Sequence, residues 1–202
     1  MKKTRDRAAS TRALLDAGIK AFSAKGYDAA TTKEIARLAG LNEQLITRYF
    51  GGKMGLLVAV YRDLLEHQED DLAYEASPRQ ATVPLEIAHF LAHKNRHFRA
   101  TDKLMTIMLV RLLIDQETAA RYDLSFMYRM STVLAKRLRV FQQEGRIRPD
   151  CDTLQVSESI MAQAFVDLFL TPAIVGLDPD RIAADCEKIV RITCEGIVPP
   201  AS

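Results

Sequence analysis

Gly40 most limits what this chain can become. It ends TTKEIARLAG and precedes LNEQLITRYFGGK, so residues 31–53 read as two short helices joined by a tight turn. Ala36, Gly40 and Ile46 have the spacing such a turn needs: a small residue at the helix crossing, a glycine four positions on, an aliphatic six further. Glycine adopts the positive φ that ends one helix and redirects the chain, which a residue with a Cβ does only under strain. Thr31 stands three residues before Glu34, the spacing of a capping box in which hydroxyl and carboxylate each accept an orphan backbone N–H. Asn42 is the expected N-cap of the second helix. Residues 43–50 then form about two turns, short enough to lie in a DNA major groove about 12 Å wide.

Composition enters through the rest of the fold. With 48% apolar residues and only 9 Gly and 7 Pro among 202 positions, little room is left for strands and turns, and an all-α protein is expected. Its basic N-terminus is followed by no long apolar run. No window approaches the roughly 18 uninterrupted apolar residues of a membrane span, so a cytoplasmic protein without a membrane partner is expected. Cys151, Cys186 and Cys194 are widely spaced and form no CxxC, a pattern of reduced thiols rather than disulfides or a zinc site, buried as small apolar residues rather than serving as a redox sensor. Net charge is only +2, but residues 1–60 carry 11 Lys or Arg against 5 Asp or Glu, and the remainder 17 against 21. The basic excess coincides with the two-helix motif, as association with phosphates requires.

Along the chain, residues 7–25 have Leu14, Leu15, Ile19 and Phe22 near helical spacing, with Gly26 as the cap. Lys2, Lys3, Arg5 and Arg7 can reach a phosphate or minor groove, or form a frayed end. A connecting helix is predicted over 55–74, others over 84–99 and 101–116, and a long amphipathic segment over 117–144 that stops at Gly145. Two final helices, 152–175 and 179–196, carry apolar stripes suited to a four-helix interface with a second copy. The domains expected are a DNA-binding head, 1–52, and a larger helical bundle for ligand binding and dimerisation, 53–202.

Phe22, Lys25-Gly26-Tyr27, Thr31, Ile35-Ala36, Ala39-Gly40, Tyr49-Phe50, Lys53 and Leu56-Leu57 occur in the order found in one family. Over residues 8–60 the chain resembles the DNA-binding domain of the TetR (tetracycline-repressor-like) family of bacterial transcription regulators. That resemblance implies a homodimer with N-terminal heads and a divergent helical domain that binds a small ligand. By the same resemblance, Tyr49 and Lys53 match positions that bond operator phosphates. Thr31 or Thr32 would add a hydroxyl or N–H at the start of a helix, where the dipole favours an anion. Base readers are expected on residues 43–48: Gln44 for adenine, Arg48 for guanine or phosphate, Glu43 for cytosine, and Leu45 against a thymine methyl or packed inward. The chain departs from common family residues at Gln44, Thr47 and Met54, and Thr47 stands where a backbone-contacting Tyr is frequent.

Two further groupings stand out. His89, His93 and His97 recur every fourth residue with Glu86 a turn earlier, yet three such histidines cannot all reach one tetrahedral ion, so a polar edge or pocket lining is expected and no metal or other cofactor. Met105, Met108, Phe126, Met127, Met130, Phe165 and Phe169 can line an apolar cavity for an unknown small-molecule effector, or simply fill the core. No nucleophile–base–orienter set is evident, so no enzyme is expected. The function expected is a dimeric regulator, most simply a repressor, on a pseudo-palindromic double-stranded DNA operator. A helical-bundle enzyme using the histidine row and a nonspecific architectural DNA binder are the alternatives.

Overall fold

Helices supply all the regular structure among the residues that the computed structural model describes, which are 2–66, 69–116, 120, 122–123 and 128–199, the side chains of 2–6 and 69–71 excepted. The all-α expectation holds. Two compact units result: Met1–His67 with Lys103–Leu124, and Gln68–Asp102 with Ser125–Ser202.

In the first unit, α1 (Lys2–Ala29) leaves helical geometry at Gly26, α2 (Thr32–Ala39) and α3 (Gln44–Phe50) form the two-helix motif, and α4 (Lys53–Glu66) follows. Leu14 and Phe22 of α1, Ile35 and Ala36 of α2, Ile46 of α3 and Leu56, Leu57 and Val60 of α4 are buried together as its core. Gly40 sits in the left-handed region at φ 67°, ψ 29°, and its N–H reaches the Ala36 and Arg37 carbonyls. Asn42 Oδ1 accepts the Gln44 N–H at 2.8 Å, the expected cap. Only half of the capping box forms. Thr31 Oγ1 accepts the Glu34 N–H at 3.1 Å, but Glu34 Oε1 takes Lys25 Nζ at 2.6 Å, an ion pair in place of a bond to a backbone N–H.

The seat of α3 on α4 is Gly55. A Cβ there would lie 1.6 Å from the Phe50 carbonyl oxygen, so the last turn of α3 can approach α4 only over a glycine.

The second unit contains α5 (Glu69–Ala76), the first part of α6 (Val83–Ile114), α7 (Arg129–Gln143), α8 (Thr153–Val175) and α9 (Pro179–Ile197). Instead of two helices meeting near residue 100, α6 runs unbroken for 32 residues. Thr101 does not interrupt it because its hydroxyl donates to the His97 carbonyl at 2.9 Å, absorbing the polar group inside the helix. Asp152 and Asp178 cap α8 and α9 by accepting backbone N–H groups. Within α8, residues Val166–Leu170 widen into a π turn, closed by the Thr171 N–H on the Val166 carbonyl. The widening comes just before Pro172, whose ring would otherwise press on the carbonyl four residues back. By length and composition α8 is apolar enough to cross a membrane, although no run in it is uninterrupted and its Ile160, Ala164, Leu168 and Phe169 are core residues.

A buried polar cluster ties α5, α6 and α7 together. Glu86, fully buried, accepts from the Tyr74 hydroxyl at 2.7 Å, Arg137 Nη1 at 3.0 Å and the Gln80 N–H at 2.7 Å. Arg137 also donates to the Tyr74 and Ser77 carbonyls and lies 4.2 Å from the Tyr74 ring centroid. The histidine row is no exposed edge: His93 and His97 are 1% and 2% exposed, and His89 is half-buried against Tyr74. Burial, chiefly, lowers the His89 pKa, with Arg137 and His93 acting the same way and Glu86 opposing. Gln80 Nε2 at 3.3 Å from Nδ1 suits the neutral ring.

Gly40→Ala is expected to cost about 1 kcal/mol, the strain of a left-handed non-glycine residue. Gly55→Ala is expected to cost about 4 kcal/mol or more, because backbone must move. Urea unfolding of the two variants checks the ranking. A second expectation concerns pH. Because the folded His89 binds its proton more weakly than the unfolded ring, stability falls as pH drops through about 6.5. His89→Gln should therefore shrink the loss of urea midpoint between pH 7.5 and 5.5; an unchanged loss would exclude His89 as a contributor.

Candidate nucleic-acid interface

Positions 43, 44, 47 and 48 are one and four apart on a helix and share a face. Glu43, Gln44, Thr47 and Arg48 are all exposed on it, while Ile46 is buried and Leu45 half-buried on the opposite side. The predicted readers are thereby brought together, with Leu45 intermediate between the two roles open to it. Glu43 is further restrained, since Thr32 Oγ1 donates to its Oε1 at 2.5 Å across the turn. Thr31 is exposed beside it, at the start of α2.

The two predicted phosphate anchors have different surroundings. Tyr49 is half-buried, edge-on to Phe50 at 6.4 Å, with the Arg7 guanidinium 5.3 Å from its ring centroid. Phe50, which reads as core, is likewise half-buried. Lys53 begins α4 with its ammonium 4.3 Å from the Tyr27 ring centroid and 3.3 Å from the Asp28 carbonyl oxygen. Arg111, from the part of α6 that belongs to this unit, lies 4.7 Å from the same ring and pairs with the Asp28 carboxylate. Partial burial lowers the Lys53 pKa; Asp28 opposes that and Arg111 adds to it. Burial likewise raises the Tyr27 hydroxyl. Of the basic N-terminal residues only Arg7 has a described side chain; those of Lys2, Lys3 and Arg5 lie outside the described residues.

The apolar cavity candidates are distributed over both units. Met105 and Met108 are buried residues of the first; Met130 and Phe169 are buried and Phe165 half-buried in the second. Phe126 and Met127 lie outside the described residues. Phe165 and Phe169 form an aromatic cluster with Phe98, the ring centroids 5.2 to 6.2 Å apart, beside the buried Lys94. A separate cleft of about 550 Å³ runs between α6 and α9, lined by Ala88, Ala92, Asn95, Arg99, Cys186 and Val190 among others. Burial raises the thiol pKa of Cys186 and of Cys194.

A family model described as "Bacterial regulatory proteins, tetR family" matches residues 14–60, the whole two-helix motif and its supports. Over these 47 residues the chain is similar to the DNA-binding head of that family. The BetI regulator of Rhizobium meliloti is 40% identical over 75 residues, 37% of this chain and 36% of that protein. The chain thus spans about a third of the length of the curated relatives it matches. Among solved structures, Thermus thermophilus FadR, a TetR-family repressor in complex with lauroyl-CoA, superposes with a TM-score of 0.72 over 95% of this chain and 97% of that one, at 19% identity. A TetR-family regulator from Pseudomonas syringae pv. tomato gives 0.70 over 94% and 97%, at 15% identity. At such identities the likeness is one of fold.

In the first unit, sequence reasoning missed Asp28 and Arg111 as partners around the Lys53 site. Tyr27 carried a signal, since it belongs to the Lys25-Gly26-Tyr27 element of the resemblance. Arg111 carried none, because it stands 58 positions after Lys53 on another helix.

Proposed function

We propose that the protein is a dimeric, cytoplasmic transcriptional repressor that a small-molecule ligand releases from a pseudo-palindromic operator. The single observation that carries the DNA-binding part is the exposed face of Glu43, Gln44, Thr47 and Arg48 on a short helix that a fixed turn holds outward. Thr31, Tyr49 and Lys53 flank that face with groups able to bond phosphate, which would set the register of α3 in the groove while the bases supply specificity. The basic excess of residues 1–60 supports the same surface.

Dimerisation is inferred from the last two helices. Val166, Leu170 and Ile174 stand at four-residue intervals along α8 and remain exposed, as does Ile192 on α9. Pairing with a second copy would cover this apolar surface and set two α3 helices on one side of a duplex, about 34 to 36 Å apart. The effector site is proposed in the second unit, which holds the Phe98, Phe165 and Phe169 cluster and the buried Met130 of α7. Ligand would act by favouring the dimer geometry that fits the operator poorly. FadR with lauroyl-CoA is an example of this fold holding such a small molecule.

Footprinting of the full chain on its genomic neighbourhood tests the proposal: a discrete protected palindrome is expected, and uniform coverage would favour an architectural binder. On that site Lys53→Ala should weaken all sequences alike and reduce the salt slope by about 1, whereas Gln44→Ala should alter base preference at one position per half-site. For the assembly, Ile174→Glu should shift sedimentation toward monomer with the helical circular dichroism retained. A variant that stays dimeric would move the interface elsewhere.

A further inference from the structure

Thr32 and Glu43 are eleven residues apart, one opening α2 and the other immediately preceding α3, yet the Thr32 hydroxyl lies 2.5 Å from Glu43 Oε1. A carboxylate is an acceptor only, so the one hydroxyl proton of Thr32 points to Glu43 and is not available to a phosphate. The distance falls in the range of a charge-assisted O–H···O bond. Among the described residues Glu34, the nearest carboxylate in sequence, is neutralised by Lys25, while Glu43 has a neutral hydroxyl as its recorded partner. The Glu43 carboxylate is thus exposed, immediately before the first residue of α3, with Oε1 engaged and Oε2 still able to accept.

We propose that Glu43 is a specificity residue that selects an exocyclic amine, cytosine N4 first and adenine N6 second, and that Thr32 is the positioning residue holding its carboxylate for that contact. The inference rests on the DNA-binding reading above and deepens it. The N-terminal residues of a recognition helix meet base edges, which is where Glu43 stands. In the major groove cytosine presents the N4 donor, adenine presents N6 beside the N7 acceptor, and guanine and thymine present the acceptors O6, N7 and O4. An acceptor-only group desolvated against O6 or O4 leaves two acceptors facing each other. A carboxylate free to swing could turn to water and avoid that penalty. With Thr32 holding one oxygen, the other meets whichever base occupies the position, and the wrong base is rejected.

The test is site selection from randomised duplex DNA, followed by binding titrations of the selected site and its single-base variants, using the full-length protein. The wild type is expected to select one position per half-site occupied by C, and to discriminate against G or T there by about tenfold. Glu43→Gln, whose amide can donate as well as accept, should admit G and T at that position while leaving the others unchanged. Thr32→Val keeps the shape and removes the proton, so it should lose several-fold of the discrimination at that position alone; Thr32→Ser should restore it. A merely structural Thr32 would instead weaken matched and mismatched sites equally, and that result overturns its positioning role. A selected palindrome whose base preferences Glu43→Gln leaves untouched overturns the inference and leaves the DNA-binding reading standing. Selection of no discrete site by the wild type overturns both.

Discussion

The approach of the Phe50 carbonyl to Gly55 governs the head, because α3 is too short to hold itself. Seven residues close only a few helical hydrogen bonds, and helices of that length are not stable alone in water. What fixes α3 is its surroundings: Asn42 at its start, the left-handed Gly51 at its end, Ile46 in the core and the glycine at position 55 that lets its last turn rest on α4. An exposed face at Glu43, Gln44, Thr47 and Arg48 follows from that seating, which leaves these side chains open to the proposed contact with DNA.

The second unit is held by a different balance. Glu86 is wholly buried, and a bare carboxylate there would cost several kcal/mol at about any plausible interior dielectric. It is instead surrounded by three donors from three segments: the Tyr74 hydroxyl, the Arg137 guanidinium and the Gln80 backbone N–H. Burial and the neighbouring carboxylate both raise the Tyr74 hydroxyl far above its ordinary value, so it remains a donor at any physiological pH. Arg137 then spends its remaining donors on the carbonyls that end α5, which fixes the chain between α5 and α6. Such a cluster contributes less to stability than to uniqueness, since few alternative packings would satisfy all its members.

Local chemistry was legible in the sequence, and distant chemistry was not. The turn at Gly40, the caps at Thr31 and Asn42 and the inward stripes of α1 and α7 depend on residues within a few positions of each other, whereas the stripe of α8 that reads as a face for a second copy is core at Ile160, Leu168 and Phe169. The half-formed capping box shows the limit: Glu34 was placed by spacing, but Lys25, nine residues earlier, competes for it and wins. The break expected between residues 99 and 101 does not occur, and the Thr101 hydroxyl there bonds back along the continuous helix. At the interface, which residues of α3 face outward followed from helical period. That Thr32 would bond Glu43 did not, since it depends on how two helices cross.

The Lys53 site joins these scales. Tyr27 offers one ring to two cations, Lys53 and Arg111, and Asp28 supplies one carboxylate and one carbonyl to the same pair. The two positive charges therefore share the Asp28 carboxylate, and the Asp115 carboxylate is close enough to act on the same Tyr27 ring. Ring faces and carbonyl dipoles attract cations without cancelling their charge, and partial burial makes the Lys53 ammonium harder to keep charged. In the proposed complex a phosphate at the start of α4 would be drawn by a cluster assembled from three separate segments rather than by the lysine alone.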